Sequence, residues 1–292
     1  MSHEPRGLLV SLVDEIDPAL QKKPGTRSHA RVWPALGLVA CAVLSLAATV
    51  APPSRTLAAD SPADAVAAAI ADASRPTTDT DRDANRKPAQ TLAFAGVKPG
   101  DKIGDYAAGS GYFTRLFSVV AGANGHVYAS VPTPLFKYAN IVKGITDTQT
   151  YAVTHPNVTV TFASALGAVK YPEKLDVFWI SQNYHDLHDS FMGPVDMAAF
   201  NRAVYAALKP GGVYIVLDHV AAKGSPANVT DTLHRIEPST VRREVEAAGF
   251  KFVSESSVLA NPADPHTAGV FNASIQGRTD QFILKFRRPR AS

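Results

Sequence analysis

The sequence predicts an α/β fold built on a mostly parallel, seven-stranded sheet, with an antiparallel last strand and helices on both faces. Short apolar runs alternate with helical patterns along the body of the chain, which is the arrangement of parallel strands joined by crossover helices. The last two strand-like runs, 251–259 and 281–288, have only a loop bearing Pro, Asn and Gly between them. Without a crossover helix, the final strand must pair antiparallel with a neighbour.

The elements can be assigned in order from these patterns. Apolar runs predict strands at 102–107, 126–131, 158–163, 175–182, 212–220, 251–259 and 281–288. Amphipathic patterns predict helices at 87–94, 112–121, 134–144, 195–208 and 238–248.

The most informative segment covers residues 97–130. An apolar run from Ile103 to Ala107 meets a turn of small residues, Ala108 to Gly111, and a helical pattern and a second strand follow. Small side chains let the backbone approach a ligand closely, and the N–H groups of the following helix point toward it. The segment therefore predicts a site for a nucleotide-like ligand.

Charge and cysteine content exclude some function classes. The chain carries 29 Lys and Arg residues and 26 Asp and Glu residues, of which 23 and 22 respectively lie from Asp60 onward. The body thus has a net charge of +1, which provides no electrostatic footprint for nucleic acid. The single cysteine, Cys41, lies before the body, so no internal disulfide is expected there.

Residues 1–59 are predicted to be a leader. A basic flank precedes the uncharged apolar run 32–53, and small residues follow up to Ala59, where we expect cleavage of a signal peptide. An uncleaved membrane anchor and lipidation at Cys41 remain open alternatives. We expect an exported product, periplasmic or membrane-anchored, with a cytoplasmic body as the remaining alternative. A flexible tether is predicted at 60–80, in which Pro62 to Ala73 could form a short helix, followed by the folded domain at 81–292.

Four sequence motifs and the distances between them resemble those of the class I S-adenosylmethionine-dependent methyltransferases, and the resemblance covers about residues 80–288. They are the glycine turn Asp105–Tyr112, Asp176 at the start of the fourth strand, Leu208–Gly212 (LKPGG) before the fifth and Ala247–Phe250 (AAGF) before the sixth. The resemblance implies a Rossmann-like fold. More narrowly, the segments DANRKPAQTLAFAGVKPGD, NYHDLHD, LDH, LHRIEP and GRTDQFILKFRRP resemble a group of bacterial methyltransferases, often with leader peptides.

The resemblance implies S-adenosyl-L-methionine as the cofactor and assigns residues to it. Asp105 would bind the amino group of the cofactor, and the turn would wrap its methionine and ribose parts. Ser130 stands where the family usually has an acid for the ribose hydroxyls, and Ala107 replaces the first glycine of the usual turn. The expected cofactor-binding residues are Asp105, Ala107, Gly109, Ser110, Gly111, Tyr112, Ser130 and Asn183.

The segments after the fourth and fifth strands supply the candidate chemistry, because the carboxyl ends of parallel strands face the ligand. Tyr184, His185 and His219 are the candidate catalytic residues, since imidazole titrates near neutral pH. Asp218, His234 and Arg235 are the candidate substrate-binding residues, and Arg235 could equally pin its loop to an acidic neighbour.

Alternative functions for two of these clusters remain open. Histidines and aspartates of NYHDLHD, at 183–189, could instead bind a metal or hold the loop together; no metal is expected in the leading interpretation. Arg82, Asp83 and Arg86 are expected to form a solvated charge cluster, with an arm that folds over the cofactor as the open alternative.

The function that the sequence predicts is methyl transfer from S-adenosylmethionine to a small or medium-sized acceptor molecule. Two alternatives belong to other classes: a methyltransferase-fold binding module that has lost activity, and a metal-dependent hydrolase built on NYHDLHD. The sequence predicts no oligomeric state.

Overall fold

Seven strands form one sheet in the computed structural model, which describes residues 61–163 and 169–290. The strand order is β3-β2-β1-β4-β5-β7-β6. All pairings are parallel except those of β7, which runs antiparallel to both β5 and β6. The predicted topology, including the antiparallel last strand, is confirmed.

The strand bounds follow the predicted runs closely. They are β1 (Lys102–Tyr106), β2 (His126–Pro132), β3 (Val158–Ala163), β4 (Leu175–Ser181), β5 (Leu208–His219), β6 (Lys251–Ser256) and β7 (Gln281–Arg287). β5 starts earlier than predicted because Leu208 already pairs with Leu175, and a bulge separates that pair from Val213. The LKPGG motif is therefore part of the strand.

Nine α-helices surround the sheet in this part of the chain. They are α1 (Pro62–Ala71), α2 (Thr77–Thr80), α3 (Asp83–Arg86), α4 (Pro88–Ala95), α5 (Tyr112–Ala121), α6 (Ala139–Thr154), α7 (Met197–Ala207), α8 (Val229–Leu233) and α9 (Pro238–Ala247). The helix predicted at 134–144 is wrong in its bounds. Residues 133–137 form a 3₁₀ turn, and Tyr138, which is extended, separates it from α6.

The flexible tether predicted for residues 60–80 is also wrong from Pro62 onward. Helix α1 begins after Ser61, whose hydroxyl accepts a hydrogen bond from the Asp64 N–H as an N-cap. Its small apolar side chains at Ala65 and Ala69 are buried against α5. Small residues allow this close helix packing, so the segment belongs to the domain. The leader predicted at 1–59 lies outside the described residues.

A separate apolar core covers each face of the sheet. Alternation along β4 sends Val177 and Trp179 to one face, with α1, α4 and α5, and Phe178 and Ile180 to the other, with α7 and α9. Of the helices in residues 61–163 and 169–290, none has the length and apolar character needed to cross a membrane.

Candidate functional site

A cavity lies at the carboxyl ends of β1, β4 and β5. Its volume is about 550 Å³, within the range of small-molecule sites. Strand order reverses between β1 and β4, and open α/β sheets bind ligands in the crevice at such a point. The topology therefore places the glycine turn, the NYHDLHD segment and the end of β5 around one space.

The glycine turn forms one wall of this cavity. The N–H groups of Ala107 and Ala108 both donate to the Ser130 carbonyl oxygen, at 2.8 and 3.3 Å, which anchors the turn to β2. Gly109 has a φ of 55°, and a Cβ built on it would lie 3.9 Å from its nearest neighbour, the Ala107 oxygen. A side chain at Gly109 would therefore occupy open cavity space that a ligand can use.

Helix α6 holds the turn from the outside. A Cβ on Gly144 would come within 2.9 Å of the Ser110 Cα, and one on Gly111 within 2.6 Å of the Thr148 hydroxyl. Gly144 packs on the backbone of Ser110 and Gly111 on the side chain of Thr148, so both positions require glycine for the close approach.

The substitution Gly144→Ala tests this packing, because helix propensity and the clash change the free energy of unfolding in opposite directions. Alanine in a helix interior normally stabilises by about 1 kcal/mol relative to glycine. Here the clash with Ser110 should dominate, and we expect the free energy of unfolding to fall by about 1–3 kcal/mol, as in other overpacked sites. Urea unfolding measures this. Gln149→Ala, at an exposed position of the same helix, is the control and should change little. A stabilised Gly144→Ala protein would contradict the packing argument.

Residues before the first strand complete the wall behind the turn. Arg115 on α5 forms a buried bidentate ion pair with Asp79 on α2, at 2.6 and 2.7 Å, and also donates to the Ser110 carbonyl at 2.7 Å. Asp83 accepts hydrogen bonds from Arg75 and from the Tyr112 hydroxyl. The N-terminal segment is therefore tied to the turn by charged hydrogen bonds.

The solvated cluster predicted for Arg82, Asp83 and Arg86 is wrong. Arg82 and Arg86 line the cavity, and the Arg86 guanidinium lies 4.6 Å from the centre of the Tyr112 ring, within cation–π range. Arg86 also donates to the side-chain oxygen of Gln182 at 2.9 Å. Burial lowers the pKa of Arg86 to about 9. The sequence leaves open whether this arm folds over the sheet edge, because its composition is that of a surface segment.

Asp105 lies at the base of the cavity, next to the turn. Only 2% of its surface is exposed, and its carboxylate accepts a hydrogen bond from the Thr114 hydroxyl at 2.6 Å. Burial raises the pKa of Asp105 to about 7, although Thr114, Arg86 and Arg115 favour the charged form. A carboxylate held in this way is suited to bind a cationic group of a ligand.

His185 lies between two carboxylates. Its backbone N–H and its Nδ1 both contact Asp218, at 2.9 and 2.8 Å, and its Nε2 lies 3.2 Å from an Asp186 oxygen. Burial opposes a charge on this ring, but Asp218 and Asp186 outweigh it and raise the pKa of His185 to about 10. Without another cation, His185 is an imidazolium and cannot act as a base.

Two further predicted histidines reach the cavity. His219 contacts the Thr279 hydroxyl through Nδ1 at 2.7 Å, and burial lowers its pKa to about 3, so the ring is neutral. His234 lies 5.5 Å from His185 between ring centres and stacks edge-on with Phe271. Both histidines come from segments distant in sequence from NYHDLHD, and the fold brings them together.

Five predicted site residues do not line the cavity, and the side chains of three of them make their contacts elsewhere. The Tyr184 hydroxyl is buried between Glu244 and Asn201, and Arg235 is fully buried in an ion pair with Asp264. The Ser130 hydroxyl bonds to Thr161 and Tyr171 instead of facing a ligand. The expected roles of Tyr184 and Ser130 are therefore wrong, whereas Arg235 pins its loop to an acidic neighbour, the alternative that the sequence left open. Asp218 acts indirectly, by positioning His185.

The remaining predicted residues fall largely on the cavity wall. Among those expected to hold the cofactor, the residues that line it are Asp105, Ala107, Gly109, Ser110, Tyr112 and Asn183. Gly111 supports the turn from behind through its close approach to Thr148. An apolar wall that sequence reasoning missed consists of Leu135, Tyr138, Ile141, Phe191, Val270 and Phe271. The sequence indicates this wall through the position of Leu135 to Ile141, which directly follow the end of β2.

Backbone strain is concentrated at this cavity. Five non-glycine residues of the described chain have positive φ, and three of them, Ala107, Gln182 and His234, line the cavity. Such conformations cost about 1–3 kcal/mol each and cluster at ligand-binding sites. The strain is an independent indication that the cavity is a functional site.

Comparison with known proteins yields structural matches only. No protein-family model and no curated protein sequence matches the chain. Among solved structures, a chain of the complex between the Haloferax volcanii Trm112 methyltransferase activator and a methyltransferase matches with a TM-score of 0.52 at 16% identity. That match covers 78% of this chain and 96% of the other.

Two other solved structures have similar folds. The [4+2]-cyclase SpnF matches with a TM-score of 0.52 at 16% identity, over 71% of this chain and 82% of its own. A SAM-dependent methyltransferase from Aquifex aeolicus matches with a TM-score of 0.47 at 17% identity, over 68% and 88%. At this identity, the two structures with a TM-score of 0.52 establish architecture alone. The chain has the Rossmann-like fold of the methyltransferases, with the seven-strand order that its sequence predicted.

Proposed function

We propose that the protein binds S-adenosylmethionine in the 550 Å³ cavity and transfers its methyl group to a small or medium-sized acceptor. One observation carries the proposal: the glycine turn, open at Gly109, and the buried carboxylate of Asp105 face the same cavity. A zwitterionic amino-acid end with an attached nucleoside suits this combination of a cation-binding acid and a backbone that permits close approach.

The residues present fit most parts of the cofactor. Asp105 would bind the amino group, and Arg82 and Arg86 would bind the carboxylate, since guanidinium and carboxylate match in geometry. Leu135 and Ile141 offer apolar surface for the adenine ring. The ribose is the exception, because the Ser130 hydroxyl is engaged with Thr161 and Tyr171.

When bound, the cofactor supplies an electrophilic methyl group on a sulfonium sulfur. The chain's contribution is mainly to position the acceptor in line with that group, because effective concentration alone can supply about 7–11 kcal/mol of the barrier. The electrons of the carbon–sulfur bond would stay on the sulfur of the cofactor. The acceptor's proton would leave to solvent, because burial lowers the pKa of His219, the neutral imidazole that lines the same cavity, to about 3 and makes it a poor proton acceptor.

Because the Ser130 hydroxyl is engaged elsewhere, no side chain is assigned to the ribose, and this supports a second candidate, a binding module that has lost methyl transfer. The similarity to a [4+2]-cyclase also supports keeping this alternative, because the same architecture carries another named activity there. Membership of the bacterial group with leader peptides, and export through the leader at 1–59, belong to the same proposal. An exported enzyme would need a supply of a cofactor made in the cytoplasm, which also favours the second candidate.

Calorimetry with S-adenosylhomocysteine tests the cofactor assignment. We expect the wild-type protein to bind it, and Gly109→Val to weaken binding at least about tenfold, because the new side chain fills the cavity. Gly224→Val is the matched control, since Gly224 also has a positive φ and no neighbour within 4 Å, but lies outside the cavity. Absence of binding at millimolar concentration would refute the proposal. Binding without turnover of S-adenosylmethionine over a panel of small acceptors would favour the inactive module.

A further inference from the structure

A cluster of four side chains at the inner end of the cavity has the composition of a metal site. We propose that His185, Asp186, Asp189 and His234 bind a divalent first-row transition-metal ion. The metal-binding part of this proposal is independent of the proposed function. The role of the metal in holding the acceptor, argued below, rests on that function.

The ligand atoms already lie close together. The Nε2 of His185 is 3.2 Å from an oxygen of Asp186, and the Nδ1 of His234 is 3.7 Å from the same oxygen. One ligand atom from each of these three residues fits within a mutual distance of 4.8 Å. Metal–ligand bonds of about 2.0–2.2 Å separate tetrahedral ligand atoms by roughly 3.3–3.5 Å, so only a small contraction is needed.

Asp189 provides a second, independent observation. It is 1% exposed, and among the described residues neither of its carboxylate oxygens accepts a well-formed hydrogen bond, although the Thr230 side chain lies within reach of one. One of these oxygens lies 3.8 Å from the Nδ1 of His234, which places it at the cluster. A buried carboxylate with so few partners is costly unless a cation compensates it. A metal ion between Asp189 and His234 would satisfy it.

The surrounding contacts prepare His185 as a ligand. Asp218 accepts a hydrogen bond from the Nδ1 of His185 at 2.8 Å, which turns the Nε2 toward Asp186. Metal-binding histidines almost always have such a carboxylate or carbonyl on their other ring nitrogen. With Asp186, Asp189 and Asp218 present, three carboxylates surround the two histidines, and a cation compensates this excess of acidic groups.

The donor set selects the metal and its role. Two imidazole nitrogens with carboxylate oxygens favour zinc, iron, manganese or cobalt over magnesium, which prefers oxygen ligands and retains water. His185, Asp186 and His234 all line the cavity, so a further coordination position faces the acceptor space. An acceptor oxygen bound there would have a lowered pKa and a fixed position.

Metal binding to the full-length protein tests the site directly. After chelator treatment and dialysis, we expect wild-type protein to bind one equivalent of Zn²⁺ by calorimetry and elemental analysis, and Co²⁺ with the visible bands of a low-coordinate nitrogen and oxygen site. His234→Ala and Asp189→Asn should lose this binding. Asp218→Asn should weaken it by about 10- to 100-fold, as for other residues that orient metal ligands.

His188→Ala is the matched control, because His188 lies in the same segment but contacts Glu244 outside the cluster. It should bind metal as wild type does. Circular dichroism and S-adenosylhomocysteine binding report whether each variant is folded. The proposed metal site would be refuted if wild-type protein failed to bind Zn²⁺, Mn²⁺ or Co²⁺ at 100 micromolar, roughly the weak end of functional sites. Equal metal binding by folded His234→Ala would also refute it. Metal binding without any cofactor binding would refute the proposed function and leave the metal site standing.

Discussion

Asp105→Asn is expected to weaken S-adenosylhomocysteine binding by roughly 10- to 100-fold, because a hydrogen bond to a charged group contributes about 1.5–3 kcal/mol. Asparagine keeps the shape and can still accept the hydrogen bond from Thr114, so the loss isolates the negative charge. The wild-type affinity should also depend on pH. With its pKa raised to about 7, Asp105 becomes protonated below neutrality, and affinity should fall by up to about tenfold for each further pH unit.

The same substitution should stabilise the protein without ligand. A carboxyl group whose pKa is higher in the folded state favours folding at low pH and loses that contribution as pH rises toward 7. Above pH 7, wild type therefore has a buried charge that Asp105→Asn lacks. Since each pKa unit corresponds to about 1.4 kcal/mol, we expect the variant to be more stable by about 2–4 kcal/mol at pH 8, and by little at pH 4.

Calorimetry between pH 5.5 and 8.5, about 1.5 units on either side of the Asp105 pKa, measures the effect on ligand affinity. Urea unfolding at both pH extremes measures the effect on stability. Asp147→Asn is the control, because Asp147 forms an exposed ion pair with Lys143 on α6. It should alter neither quantity measurably. Unchanged affinity of Asp105→Asn for S-adenosylhomocysteine would show that Asp105 does not contact the ligand. Unchanged stability of the variant at pH 8 would show that the charge of Asp105 does not destabilise the folded protein.

Asp79→Asn is expected to cost about 3–5 kcal/mol of unfolding free energy, the range for removing one partner of a buried ion pair. Asp79 and Arg115 are 1% and 6% exposed, and the substitution leaves the Arg115 guanidinium buried with only neutral acceptors, the new amide oxygen and the Ser110 carbonyl. Cofactor affinity should fall as well, because Arg115 without its ionic partner holds Ser110 in the glycine turn less firmly.

Urea unfolding and calorimetry measure both losses for Asp79→Asn. Asp81→Asn serves as the control, since Asp81 lies two residues away on the same segment and is exposed. A combined Asp79→Leu and Arg115→Met protein should regain most of the stability, because apolar pairs often replace buried ion pairs at little cost. It should not regain affinity, as Ser110 loses its partner. A loss below about 1 kcal/mol in Asp79→Asn would mean that water reaches the pair.

The site was predictable to the extent that it depends on strand ends. Asp105, Gly109, His185 and His219 follow directly from the rule that ligands bind at the carboxyl ends of parallel strands, and all four line the cavity. Side-chain direction was not predictable in the same way. Tyr184 directly precedes His185, yet its ring is buried against the far side, because consecutive residues in the turn after β4 point apart.

The sequence by itself determined the architecture of this protein. The alternation of apolar runs and helical patterns, the small-residue turn and the missing last crossover helix are local signals, and each acts within a few residues of chain. Only the tertiary structure decided what surrounds the ligand. Arg86 on the N-terminal arm and His234, 49 positions after His185, reach the cavity through contacts between distant segments, which no local pattern encodes. Burial raised the pKa of Asp105, and the carboxylates of Asp218 and Asp186 raised that of His185 against the effect of burial, because a pKa depends on neighbours that only the folded chain brings together.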